Sequence, residues 1–193
     1  MIAVALLLGL VAASFLTIGS PALAGSCQNL VTDSGFESGA GWNASTQGNY
    51  SLFSQYLVHS GSKAAYLGGA DGAVDRLSTT LTLPNDPVLL LNFWWQVQSE
   101  ENGSAYDGMS MVVADAQGNP LRTVFSLSDA NVSAFWQNQE IDLRDFAGQT
   151  IQLQLVAQTD TNLPTDFFID DLVVNACSAT SGGVKIFLPV TRR

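Results

Sequence analysis

Apolar and polar side chains alternate along most of the chain. Leu77, Thr79, Leu81 and Leu83 alternate with Ser78, Thr80 and Thr82. Ile151, Leu153, Leu155 and Ala157 alternate with Gln152, Gln154 and Val156. A repeat of two is the spacing of a strand with one face in a core and the other in water. Similar runs predict further strands over about 50–58, 64–68, 88–98, 108–115, 121–127, 135–141 and 166–175. Turn-forming clusters separate them, among them Asp33-Ser34-Gly35, Ser60-Gly61-Ser62, Pro84-Asn85-Asp86-Pro87 and Gln117-Gly118-Asn119-Pro120. The one helical stretch is Leu143-Arg144-Asp145-Phe146-Ala147, ended by Gly148. Many short strands at regular spacing predict an all-β fold, an antiparallel β-sandwich or jelly roll.

The first strand of this pattern is preceded by something different. Residues 2–18 are apolar and uncharged, and Ala22-Leu23-Ala24 offers the small residues a signal peptidase reads. Residues 1–24 are therefore expected to be a signal peptide, although the usual positive n-region is missing. The run is short for a membrane span, so no stable span is expected in the mature chain. The jelly-roll module should cover 25–177, and Ser178-Ala179-Thr180-Ser181-Gly182-Gly183 opens a linker and tail over 178–193. An exported chain favours disulfides. A sandwich often brings its first and last strands together, which predicts a Cys27–Cys177 bridge, with two free buried thiols as the alternative.

Charge narrows the partners. The chain has 193 residues, 17 Asp+Glu against 7 Lys+Arg, a net charge of -10, and only 12% charged residues. No basic stripe is present, so nucleic acid is not an expected partner. A single histidine, His59, leaves little for His-based catalysis or a His-rich zinc site.

Several segments, in order, resemble the extracellular galactose-binding-like jelly-roll modules. That group takes in calcium-binding carbohydrate-binding modules, MAM domains and the accessory domains of immune-inhibitor-A-type peptidases. The segments are Asn29-Leu30-Val31-Thr32-Asp33-Ser34-Gly35-Phe36-Glu37 with Trp42; His59-Ser60-Gly61-Ser62-Lys63-Ala64-Ala65; Leu91-Asn92-Phe93-Trp94-Trp95; and Phe168-Ile169-Asp170-Asp171-Leu172. The resemblance spans about 29–175 and implies a secreted or cell-surface, non-catalytic binding module. Its partner would be a glycan or, alternatively, an extracellular or cell-surface protein. The architecture hosts too many functions to name the ligand.

The resemblance also implies a structural calcium ion, held by Gly35, Glu37, Asp170 or Asp171, and the Lys63 carbonyl. Calcium takes 6–8 oxygens from carboxylates and turn carbonyls. Strand alternation sends one of Asp170 and Asp171 inward among Phe168, Leu172 and Val174, where a cation would relieve the burial of charge. Backbone N–H donors at the sheet edge are the alternative means of satisfying it.

Strand parity suggests a ligand face. Leu91, Phe93, Trp95 and Val97 share the core side, while Asn92, Trp94, Gln96 and Gln98 share the other. A flat indole among amides suits a sugar, whose apolar face stacks while its hydroxyls hydrogen-bond. Trp94 is the expected anchor, with Asn92 and Gln96 in support and Tyr106 and Trp136 as neighbours. Alternatively, Trp94 packs beneath a loop. Trp42, Phe146, Phe167 and Phe168 read as core. A hydrolase is a distant alternative, because no nucleophile elbow, phosphate loop or H-E-x-x-H motif occurs.

Overall fold

The alternating runs pair into two antiparallel sheets. The structure, a computed structural model, describes residues 26–101 and 105–178. Its strands are β1 (Cys27–Asn29), β2 (Asn43–Thr46), β3 (Phe53–Ser54), β4 (Ala64–Leu67), β5 (Val74–Thr82), β6 (Val88–Ser99), β7 (Gly108–Asp115), β8 (Pro120–Ser128), β9 (Gln137–Asp142), β10 (Thr150–Gln158) and β11 (Thr165–Cys177). One sheet runs β3-β4-β11-β6-β9, with β1 added alongside β11. The other runs β2-β5-β10-β7-β8. Short 3-10 turns form at Asp129–Asn131 and Arg144–Phe146, the second inside the predicted helical stretch. The predicted signal peptide and all of the predicted tail after Ser178 lie outside the described residues.

Sandwich formation follows from parity. Ile151, Leu153, Leu155 and Ala157 of β10 point inward and are fully buried against Leu77 and Leu81 of β5 and Met109, Met111 and Val113 of β7. Leu89, Leu91, Phe93 and Val97 of β6 face them from the six-stranded sheet, beside Phe167 and Ile169 of β11. Each such side chain contributes about 1.5–3 kcal/mol by leaving water. Of the residues read as core, Phe167 is fully buried, Phe146 nearly so, and Trp42 packs on Phe36 with its indole N–H donating to the Asp33 carbonyl at 3.2 Å, whereas Phe168, also fully buried, lies on the other face of its sheet under Tyr56 and Tyr66.

The termini of the module are tied as expected. β1 pairs with the end of β11 in the register Cys27↔Cys177, and the two cysteines form a disulfide.

Two sequence-based expectations change. The run 50–58 forms a strand only at Phe53–Ser54, and beyond it Tyr56 stacks on Phe168 at 6.0 Å. The second change lies in β11, where the register against β6 jumps from Asp170↔Trp94 to Val173↔Asn92. One extra residue sits in β11, and Asp171 takes a left-handed φ of 48°. An inserted residue reverses parity beyond it. Phe167 and Ile169 therefore point inward before the bulge, and Leu172, Val174 and Ala176 after it. Asp170 consequently does not project among Leu172 and Val174. It lies on the opposite side, beneath the loop that carries His59 and Ser60.

Candidate functional site

The five-stranded sheet carries a cleft on its outer face. Because odd positions of β10 face the core, Gln154, Val156 and Gln158 face outward, and register brings Arg76 of β5 and Ser110 of β7 opposite Val156. These side chains line a cleft of about 620 Å³ that Tyr106 and Asp160 also border. Arg76 Nη1 donates to Gln154 Oε1 at 2.5 Å. The Gln154 amide in turn donates to Gln152 Oε1 at 3.1 Å, and the residue is only 3% exposed. The cleft floor is thus a row of mutually oriented polar groups.

Buried aspartates set the rim. Asp107 is buried, and its Oδ1 accepts the Asp160 N–H at 2.7 Å. Asp129, also buried, accepts the N–H groups of Ala105 at 3.0 Å and Asp107 at 3.4 Å. Tyr106 lies between two residues held this way and stands 62% exposed. A fixed backbone beneath an exposed ring gives a stacking platform that needs little ordering on binding.

The outer face of the six-stranded sheet is occupied differently. His59 stacks on Trp94 at 4.1 Å and 15°, and Trp136 meets the imidazole edge-on at 5.6 Å. His59 Nδ1 donates to Asp171 Oδ2 at 2.6 Å, and Ser60 Oγ donates to Asp171 Oδ1 at 2.7 Å. Both donors point at the same carboxylate, so Ser60 and His59 are not arranged as nucleophile and base. Asn92 and Asn138 bond each other reciprocally, at 3.2 and 3.0 Å.

The five residues expected to form one ligand surface are therefore divided. Trp94 packs beneath the His59 loop, and Trp136 meets the same imidazole edge-on. Asn92 is paired with Asn138. Gln96 is 5% exposed and donates to the Ser133 carbonyl at 3.1 Å, so it presents no free amide. Tyr106 borders the cleft of the other sheet. Arg76, Gln154 and Gln158 escaped the sequence reading because alternating polar residues on a strand look like an ordinary wet face. An arginine within so uncharged a chain was the available signal.

Glu37 and Asp170, two of the expected calcium ligands, each bond the loop before β4, Glu37 at Ser62 and Lys63 and Asp170 at His59 and Ser60. Glu37 Oε1 accepts the N–H groups of Ser62 at 2.8 Å and Lys63 at 3.3 Å, and its other oxygen accepts the Ser62 hydroxyl. Those bonds, the Ser62 hydroxyl first, hold the Glu37 carboxyl below its usual range. An alanine Cβ at Gly61 would fall 1.9 Å from Glu37 Oε1, and φ there is +66°, so only glycine permits this approach. Lys63 Nζ donates to the Glu37 carbonyl at 2.9 Å. Leu172 N–H, freed by the bulge, donates to the Ser34 carbonyl at 2.9 Å. Asp170 is fully buried; Oδ2 accepts from His59 N at 2.8 Å and Ser60 N at 3.1 Å, and Oδ1 accepts from Asp171 N at 2.8 Å. Among the described residues, no three His, Cys, Asp or Glu side chains gather as a metal site.

The two antiparallel sheets and their order define a β-sandwich jelly roll. Among solved structures, the fold is similar to that of TmCBM61, solved in complex with beta-1,4-galactotriose, at TM-score 0.57 and 20% identity over 76% of this chain and 97% of that one. It is also similar to the K1 cleaved adhesin domain of Lys-gingipain from Porphyromonas gingivalis W83 (TM-score 0.54, 14% identity, 80% and 100% of the two chains). A third is the CBM22-1 xylan-binding domain of Xyn10C from Paenibacillus barcinonensis (TM-score 0.50, 16% identity, 81% and 99%). No family model matches the sequence, and no curated protein does.

Proposed function

We propose that this chain is an exported, non-enzymatic binding module that takes carbohydrate into the cleft of its five-stranded sheet. The observation that carries this reading is the cleft itself, a trough of about 620 Å³ with the exposed Arg76 and Gln158 side chains along it and exposed Tyr106 at its border. An aromatic ring stacks on the apolar face of a pyranose, and fixed amides meet its hydroxyls. Two of the similar structures, by their own descriptions, hold beta-1,4-galactotriose or bind xylan. Export is supported by the apolar leader and by the disulfide. The rival reading, a protein-interaction surface, draws on the likeness to an adhesin domain.

Titration calorimetry against neutral and charged oligosaccharides tests the site. Tyr106→Ala is expected to weaken binding about tenfold or more, the loss of roughly 1.4 kcal/mol of stacking, while Trp94→Ala leaves it unchanged. Loss with Trp94→Ala alone would move the site to the other sheet. A panel with no binding member would favour the protein-interaction reading.

The junction of Glu37, Lys63 and Asp170 is further proposed to hold a structural calcium ion. Its oxygens, carboxylate and turn carbonyl, have the hardness calcium selects, and Gly35, Glu37, the Lys63 carbonyl and Asp170 or Asp171 would hold it. Against the ion stands the Lys63 ammonium on the Glu37 carbonyl. The expected result is a melting temperature about 5 °C or more higher at saturating calcium than after EDTA. An identical melt in both conditions removes calcium from the account.

A further inference from the structure

Three of the four cations among the described residues are engaged with acidic residues. Arg122 pairs with Asp145 at 2.7 Å and lies over the Phe146 ring. Arg144 pairs with Asp142. Lys63 donates to the Glu37 carbonyl, and its charge acts on the Glu37 carboxylate. Among the described residues, Arg76 is the one exposed cation in no ion pair, its guanidinium bonded to the neutral Gln154 amide. It lines the cleft.

From this we infer that the cleft is selective for an acidic saccharide, one whose sugar ring carries a carboxylate or sulfate that Arg76 engages. The inference rests on the carbohydrate reading of the cleft. A guanidinium presents paired N–H donors in a plane that matches the two oxygens of a carboxylate, and such charge-assisted bonds are about twice as strong as neutral ones. Gln154 pre-orients the guanidinium through Nη1, which leaves the remaining donors for the ligand. Asp160, the acid on the same cleft, accepts the Asn162 N–H at 2.8 Å and disfavours an anion at its own end. The two charges thereby set the direction in which a ligand lies, with the acidic group toward Arg76. A protein of net charge -10 opposes a dense polyanion at long range. The fitting ligand is accordingly a mostly neutral oligosaccharide with an isolated acidic sugar, drawn in over the roughly 8 Å within which charge is felt at physiological salt.

The test is calorimetry on the full chain with matched oligosaccharides that are neutral, uronate-bearing, methyl-esterified at the uronate, or sulfate-bearing. The wild type is expected to bind the uronate or the sulfate form about tenfold more tightly than the neutral one, and whichever is preferred names the group. Methyl esterification of the uronate should erase that preference without any change to the protein. Arg76→Gln should bring acidic and neutral ligands within about twofold, and Arg76→Lys should keep part of the difference. Arg76 is exposed, so an unchanged melting temperature is the expected sign that the variant is folded. Equal wild-type affinity for acidic and neutral ligands, or a preference that survives Arg76→Gln, overturns the inference while leaving the carbohydrate reading standing. Absence of binding to every saccharide overturns both.

Discussion

Replacing Cys27 and Cys177 together by serine is expected to lower stability by about 4–5 kcal/mol and the melting temperature by about 10–20 °C. The bridge closes a loop with a sequence separation of 150. Cross-linking so long a loop removes a large share of the freedom of the unfolded chain, and the chain-entropy estimate grows only slowly beyond this length. The folded state should change little, because β1 is also held by its ladder to β11 and by the Leu30 N–H on the Val174 carbonyl at 2.9 Å. Urea unfolding monitored by circular dichroism supplies the measurement. Reduction of the wild type should reproduce the double variant, and the slope against urea should rise as the unfolded chain expands. A loss under about 1 kcal/mol would show that the constraint acts on neither state as argued.

That bridge belongs to the part of the molecule legible in the sequence. Alternation in β5 and β10 is a property of adjacent residues, so Leu77, Leu81, Leu153 and Leu155 declare their face without knowledge of the partner strand. Pairing at the ends followed from two cysteines and a sandwich. The β11 bulge was not legible, because counting by twos assumes an uninterrupted ladder. A single extra residue at 170–172 reverses every side chain after it, and the Leu172 N–H it frees is taken up by the Ser34 carbonyl of another loop. The partial cover over Trp94 is illegible for a related reason. Its outward face was correctly placed, yet the His59 stack that covers it comes from 35 residues away in sequence, a distance no local pattern spans. The cleft lies further still from the sequence, since it arises where several polar positions from four strands curve together. Tyr106 was singled out, but its position on the opposite sheet depends on the buried Asp107 and Asp129 beside it.

Asp170→Ala carries the second large effect, an expected loss of about 2–4 kcal/mol. The carboxylate accepts three backbone N–H groups, from His59, Ser60 and Asp171, while itself fully buried. Burial is the leading influence on its proton affinity and lifts it above the ordinary aspartate range, against the pull of those three donors. Alanine would leave the donors facing a void. His59 and Ser60 lie on a surface loop and can recover water by moving outward, so the loss stays below the sum of three buried unpaired groups. That movement draws the His59 ring off Trp94, and the indole emission should shift as a second, local signal. Asp170→Asn keeps one accepting oxygen and turns an amide NH₂ toward a donor, which places it between wild type and alanine. The carbohydrate binding proposed for the cleft should persist in the folded fraction, because the cleft is built on the other sheet. A full-strength Asp170→Ala protein with unchanged tryptophan emission would mean that the loop is held by other contacts, with His59 and Trp94 stacked independently of the carboxylate beneath them.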